Sequence, residues 1–135
     1  MQAAATLAAR FVPNWEIIDY GEAGKPDAPS GTSRELAERL GAVRPPEVEI
    51  PISSTAGLVE ARGATVGSTQ IHSLRLPSFS LSTEVIFGLP DERLSIRHDA
   101  GSSAAPYVEG TLLAAKKAVG RTGLTRGLDT LLLES

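Results

Sequence analysis

The sequence predicts an α+β fold, a mixed and mostly antiparallel sheet of about four long strands with helices packed on one of its faces. Segments 70–76, 81–87 and 93–99 follow one another closely, and each alternates apolar with polar residues at the period of a strand. A further strand-like segment, 15–20, is rich in aromatic and β-branched residues. Such alternation is typical of strands with one covered face and one polar face.

Two shorter signals complete the predicted sheet. The turn at 89–92 contains proline and aspartate, and it is expected to join the last two strands into an antiparallel hairpin. Residues 47–50 are a candidate for a short edge strand, in a stretch that prolines and glycines interrupt.

Helical segments are predicted from composition and from their stop signals. Residues 2–12 are rich in alanine and leucine, and Pro13 is expected to end that helix. A second helix follows residue 32 and is expected to stop at Gly41 in the left-handed conformation. A third is expected to begin at Pro106 and to stop at Gly120.

Composition bounds the class of protein. With 135 residues, 41% of them apolar, the chain is expected to form a single domain over residues 1–135. A net charge of −3 gives no reason to expect a nucleic acid or an anionic membrane as partner. The chain has no cysteine, its 2 histidines lie far apart, and no metal is expected. His72 is expected to pack or to form a hydrogen bond. No apolar run approaches ~18 residues, so a cytoplasmic protein is expected.

Residues 25–32 predict a stiff loop that leads backbone N–H groups into the first turn of a helix. The two prolines of this loop fix φ and cannot continue a helix. Either Ser30 or Thr32 can serve as the N-cap. The amides of Ser30, Gly31 and Thr32, with the ammonium group of Lys25, would attract a carboxylate or a phosphate. The alternative is a well-capped surface helix with a solvated lysine.

The same stretch resembles the signature of the dihydrodipicolinate reductase family, also called 4-hydroxy-tetrahydrodipicolinate reductase. The family motif is roughly His-His-x-x-Lys-x-Asp-Ala-Pro-Ser-Gly-Thr, and Lys25 and residues 27–32 match it in order. Segments 71–77, 84–88 and 94–99 also agree in order and spacing with the family's substrate domain. The resemblance covers nearly the whole chain.

The resemblance implies the substrate-binding domain of an oxidoreductase of lysine and diaminopimelate biosynthesis. Its substrate would be a small cyclic imine dicarboxylate, bound by Lys25, Ser30, Gly31 and Thr32, and Lys25 or a bound water would supply the proton. NADH or NADPH would be bound by a Rossmann domain, whose Gly-rich unit this sequence lacks. Residues 1–13 would lead in from that domain. The family further implies a homotetramer assembled through the sheet.

The sequence departs from the family pattern at the histidine pair, which falls on Gly21 and Glu22. Gly21 can replace neither histidine. Glu22 is a candidate catalytic residue for proton transfer if it is buried, and otherwise an exposed glutamate at a strand end. Three functions therefore stay open: this reductase, a relative that reduces a different imine or keto acid, and a catalytically silent binding or assembly module.

Overall fold

A computed structural model describes residues 1–79 and 81–133. The chain divides into two compact units, residues 1–99 and 100–135. A single domain over the whole chain stays a prediction. In the described part of the chain, no helix combines the length and the apolar character that a bilayer crossing requires.

The first unit is built on a sheet. Its strands are β1 (Asn14–Gly21), β2 (Ala64–Val66), β3 (Thr69–Arg75), β4 (Leu81–Leu89) and β5 (Glu92–Ala100). They form one 5-stranded sheet in the order β2-β3-β1-β4-β5. The central strand β1 pairs in parallel with β3 and antiparallel with β4, and β2 is antiparallel to β3. The mixed sheet confirms the predicted fold class.

The edges of the sheet differ in part from the prediction. β4 and β5 are neighbours joined by Pro90 and Asp91, as the predicted hairpin requires. The candidate edge strand at 47–50 is wrong, because these residues adopt no strand conformation and the Glu47 N–H donates to Pro13 O at 2.9 Å. The short strand β2 lies at that edge of the sheet instead.

Two helices cover one face of this sheet. They are α1 (Gln2–Ala9) and α2 (Gly31–Val43); α1 packs on α2, and α2 packs on β3 and β1. The Trp15 and Phe87 rings lie 5.9 Å apart between centroids in an otherwise aliphatic core. The buried core residues are Ala5, Ala9, Val12, Trp15, Ile17, Leu36, Ala37, Leu40, Ile71, Val85 and Phe87. Helices on one face are what the sequence predicts.

Burial alternates along β1 with the period of a strand. Trp15, Ile17, Asp19 and Gly21 are buried, whereas the residues between them are half-buried. The buried set lies on the face that the helices cover, because Trp15 and Ile17 belong to the core cluster. Asp19 therefore occupies a position at which the strand pattern calls for an apolar residue.

The end of α1 agrees with the proline predicted to stop it, whereas the end of α2 does not agree with the predicted glycine. Pro13 lies beyond the end of α1, as predicted. The predicted stop at Gly41 is wrong, since α2 continues through it to Val43 and Gly41 has no positive φ. A Cβ on Gly41 would lie 3.4 Å from Ser68 Oγ, so this glycine permits close packing. Pro45 then favours the extended conformation of Arg44, which ends the helix.

The second unit contains two helices, α3 (Ala105–Ala118) and α4 (Leu128–Leu133), which pack on each other. Pro106 lies in the first turn of α3, as predicted, and Gly120 follows the helix with a φ of 84°. Lys117 Nζ donates to Leu131 O at 2.8 Å and joins the two helices.

Candidate functional site

A buried carboxylate joins the sheet to the start of α2. Asp19 is 0% exposed. Ser30 donates to it from N–H to Oδ2 at 2.9 Å and from Oγ to Oδ1 at 2.6 Å. The hydroxyls of Ser33 and Ser73 donate to Oδ1 at 3.0 Å and to Oδ2 at 3.1 Å. Arg75 Nη2 donates to Oδ2 at 2.8 Å. Because these donors belong to β3 and to the start of α2, Asp19 connects both to β1.

These donors favour the charged form of Asp19. Burial opposes ionisation, but the hydrogen bonds from Ser30, Arg75 and Ser33 outweigh it and hold the pKa of the Asp19 carboxyl below its ordinary value of 3.8. At neutral pH the site therefore contains a buried carboxylate with Arg75 as its counter-ion. A buried charge is tolerated only while its partners stay in place, so this network constrains the surrounding backbone.

Arg75 extends the network from the sheet to the loop before α2. Its Nη2 also donates to Asp27 O at 2.6 Å, and its Nη1 donates to Leu74 O at 2.8 Å. The side chain is only 15% exposed. A single guanidinium nitrogen, Nη2, thus bridges a buried carboxylate on β1 and a backbone carbonyl of the loop.

Ser30 is the N-cap of α2. Its Oγ accepts from Ser33 N at 3.4 Å and its carbonyl accepts from Arg34 N at 2.9 Å. The N-cap is thus Ser30 and not Thr32, which the sequence allowed as an alternative. The prediction that the Ser30 amide binds substrate needs correction, because that N–H already donates to Asp19. Ser30 supports the site as a cap.

The next two amides remain for a ligand. Gly31 and Thr32 are the first residues of α2, where N–H groups lack an intrahelical acceptor, and neither amide has a partner among the described residues. Both residues are exposed. A Cβ built on Gly31 would have no atom within 4 Å, so the space beside this amide is open.

Lys25 lies in the same loop. Its Nζ is 2.6 Å from Asp27 Oδ1, and its side chain is 25% exposed. The Lys25 ammonium lowers the pKa of the Asp27 carboxyl. The charge of Lys25 is therefore compensated by a neighbouring carboxylate that is itself half-exposed.

A continuous chain of contacts links the predicted site residues. It runs from Lys25 to Asp27, through Arg75 to Asp19, and from there to the helix cap at Ser30. An ammonium group and the positive end of a helix are thereby held on one connected frame. Such a frame can bind an anion through the backbone donors at the positive end of the helix, and Lys25 adds net positive charge once it leaves Asp27.

The two positions that depart from the family pattern lie at the end of β1. Gly21 is buried beside Arg75, and a Cβ on it would lie 3.1 Å from the guanidinium. Glu22 is exposed, so the burial that its predicted role in proton transfer requires is absent from this structure. Neither residue offers a buried acid.

The remaining candidates lie elsewhere. His72 forms a hydrogen bond, as predicted: its Nε2 lies 2.6 Å from Glu16 Oε2, and Arg62 also bonds to Glu16. This group lies on the sheet face opposite to Asp19, since Glu16 alternates with the buried residues of β1 and His72 pairs with Ile18, which lies on the same face as Glu16. Over residues 1–79 and 81–133, no group of three or more His, Cys, Asp or Glu side chains is arranged to hold a metal ion.

Sequence reasoning missed Asp19 and Arg75. A signal for Asp19 exists, because it alternates with Trp15 and Ile17 on a strand and so falls on the buried face. An acidic residue at such a position needs donors. Nothing in the sequence names the donors, which lie 11 to 56 positions away.

The chain is similar in sequence to proteins of a known family. A family model described as "Dihydrodipicolinate reductase, C-terminus" matches residues 1–132. A 4-hydroxy-tetrahydrodipicolinate reductase of Mycobacterium sp. (strain KMS) is 41% identical over 128 residues, 95% of this chain and 52% of the relative. The Streptococcus gordonii protein of the same name is 42% identical over 128 residues, 95% of this chain and 50% of that protein.

A solved structure shows the same fold. The dipicolinate-bound dihydrodipicolinate reductase from Paenisporosarcina sp. TG-14 superposes with a TM-score of 0.81 at 30% identity, covering 96% of this chain and 48% of that one. The chain thus spans about half the length of these relatives.

Proposed function

Because the chain belongs to the dihydrodipicolinate reductase family and corresponds to its C-terminal domain, we propose that it binds the dicarboxylate substrate of such a reductase. The parent enzyme would reduce a cyclic imine dicarboxylate in lysine and diaminopimelate biosynthesis. The observation that carries this proposal is the open start of α2, held to the sheet by Asp19 beside the loop of Lys25. A cytoplasmic location stays a prediction.

The proposed binding roles differ among the four predicted residues. The Gly31 and Thr32 amides donate to one ligand carboxylate, because they are exposed and without a partner in the described chain. Lys25 binds the ligand by exchanging Asp27 for a ligand carboxylate, and Lys25 or a bound water supplies the proton. Ser30 positions the amides as the cap.

The sequence lacks the Gly-rich fingerprint of a nicotinamide dinucleotide site. A dinucleotide fold needs a Gly-rich turn between a strand and a helix. Here β1 is followed by a loop that Arg75 and Asp19 bind, and the sequence contains no Gly-rich fingerprint at that point. NADH or NADPH is therefore assigned to another part of the parent enzyme, and no residue of this chain is given a step in hydride transfer.

Binding of dipicolinate, pyridine-2,6-dicarboxylate, tests the proposed site. We expect that titrating it into the ¹⁵N-labelled chain shifts the amide resonances of Gly31, Thr32 and Lys25, because new hydrogen bonds and charge reach those groups. Picolinate, with one carboxylate, is the control and is expected to bind at least about tenfold more weakly, the usual loss with one charged hydrogen bond. Shifts confined to other parts of the chain would contradict the proposal.

A different substrate is the second candidate. It is favoured by Gly21 and the exposed Glu22, which leave the site without the histidine pair of the family signature. The parent enzyme would then reduce another imine or keto acid through the same anion site. Assays of the full-length protein against a panel of cyclic imines and keto acids separate the two candidates. If no compound in the panel is turned over, the third alternative, a catalytically silent binding or assembly module, is supported.

We also propose that the parent assembles as a homotetramer through the sheet. The face opposite the helices carries half-buried Ile18 and Ile86 next to the Tyr20–Glu84 hydrogen bond, and seven of the nine residues of β5 are exposed. We expect Ile86→Glu to lower the mass measured by light scattering, because a charge would be buried at the contact. Leu7→Glu on α1 is the control. A wild-type monomer would refute this assembly.

A further inference from the structure

The Lys25 ammonium is bound by a carboxylate of its own loop. Its Nζ lies 2.6 Å from Oδ1 of Asp27, which follows two residues later in the chain. The hydrogen bond from Lys25 lowers the pKa of the Asp27 carboxyl, so Asp27 is a carboxylate at neutral pH. Any ligand carboxylate that is to bind Lys25 must therefore compete with a carboxylate that the chain itself supplies.

The backbone around this pair is held, whereas its side chains are accessible. The Lys25 N–H donates to Glu22 O at 3.1 Å. The carbonyl of Asp27 accepts from Arg75 Nη2 at 2.6 Å. The side chains of Lys25 and Asp27 are 25% and 50% exposed. Asp27 can therefore leave the ammonium by a change of rotamer, without a rearrangement of the loop.

The tether between Asp27 and Lys25 decides which ligands can displace Asp27. A carboxylate tethered by a short segment has an effective concentration on the order of mM, so a free monocarboxylate competes with it poorly. A dicarboxylate bound by one end at the exposed Gly31 and Thr32 amides is tethered as well. Its second carboxylate then competes with Asp27 as one intramolecular group against another.

We propose that Asp27 is a specificity-determining residue, which occupies Lys25 until a ligand anchored at the start of α2 presents a second carboxylate. A monocarboxylate binds at the α2 amides alone, whereas a small dicarboxylate gains Lys25 in addition. The site thereby selects dicarboxylates over monocarboxylates. The part of this inference that concerns the ligand rests on the proposed function, and the occupation of Lys25 by Asp27 does not.

Calorimetric titration of the Asp27→Asn chain tests the competition. Asparagine keeps the size of the side chain and removes the charge that holds the ammonium. Dipicolinate should bind about fivefold more tightly, near the upper end of the range for an exposed ion pair, because it no longer displaces a carboxylate. Picolinate should change by less than about twofold, because it does not use Lys25. A general gain of positive charge would instead tighten both ligands alike.

Two further variants separate competition from other effects. Glu38→Gln removes the same charge from an exposed position on α2, and it should change the binding of either ligand by less than about twofold, because salt screens exposed charges. In the Lys25→Met background, adding Asp27→Asn should also change dipicolinate binding by less than about twofold, because no ammonium is left to release.

Chemical labelling reports the pair without a ligand. Trinitrobenzenesulfonate reacts with accessible amines, and peptide mass spectrometry gives the rate at each lysine. Exposed Lys116 on α3 serves as the internal reference. Relative to it, Lys25 should react at least about twofold faster in Asp27→Asn than in the wild type, because an exposed ion pair gives modest protection.

The outcomes separate the two proposals. If the wild type binds dipicolinate and Asp27→Asn binds it no more tightly, the specificity role of Asp27 is overturned and the proposed function stands. If neither chain binds dipicolinate, the proposed function fails and the specificity role fails with it. The labelling still decides then whether Asp27 occupies Lys25, since equal rates in the two chains would contradict that part as well.

Discussion

Replacing Lys25 with methionine in the proposed parent enzyme is expected to lower kcat/KM by about 100-fold or more, within the range for loss of a proton donor and charged ligand contact. Methionine keeps the length and flexibility of the side chain but removes the ammonium, so the Gly31 and Thr32 amides would face the dicarboxylate alone. Steady-state kinetics with the cyclic imine substrate measure the effect. This prediction rests on the proposed function.

Stability and a matched variant separate this effect from misfolding. The Lys25–Asp27 pair is partly exposed and screened by solvent, so losing it should change the free energy of unfolding little. Lys116→Met removes an exposed lysine from α3 and should leave kcat/KM unchanged within about twofold. Equal kinetics for Lys25→Met and the wild type would remove Lys25 from the mechanism.

Replacing Asp19 with asparagine is expected to reduce the unfolding free energy by about 3 kcal/mol, the range for breaking a buried ion pair. Asparagine has the same shape, but its amide NH₂ would face the donors that now surround Asp19, and Arg75 would lose its counter-ion. For a domain of this size, we expect the Tm to fall by about 10 °C. Asp91→Asn, at an exposed turn with φ 58°, is the control, because asparagine tolerates that conformation.

The Asp19→Asn substitution is also expected to alter the dependence of stability on pH. Since the folded pKa of Asp19 lies below its ordinary value of 3.8, its stabilising effect is complete above that value and is lost as the pH falls through the folded pKa. Denaturant unfolding of the wild type should therefore show a gap over Asp19→Asn that is constant near neutral pH and closes on acidification. A gap that stays constant down to acid pH would show that Asp19 is not the titrating group.

The difference between the predicted and the observed site lies in the partners of its polar groups. The sequence predicts a capped helix start, and Ser30 is its N-cap. It does not predict that the Ser30 amide donates to Asp19, which leaves the Gly31 and Thr32 amides as the proposed ligand donors. A helix start is a local signal over a few residues, whereas the acceptor of the Ser30 N–H is Asp19 on strand β1.

From the sequence alone follow the four long strands, the starts of the first three helices and the family, because these depend on local periodicity, proline placement and a motif read along the chain. The tertiary structure alone decides that Asp19 is the buried centre of the site and that Arg75 fills the space beside Gly21. The pairing of β1 with β3 brings residues 56 positions apart into contact. Residues that meet only through folding carry no local pattern by which either could be recognised as the other's partner.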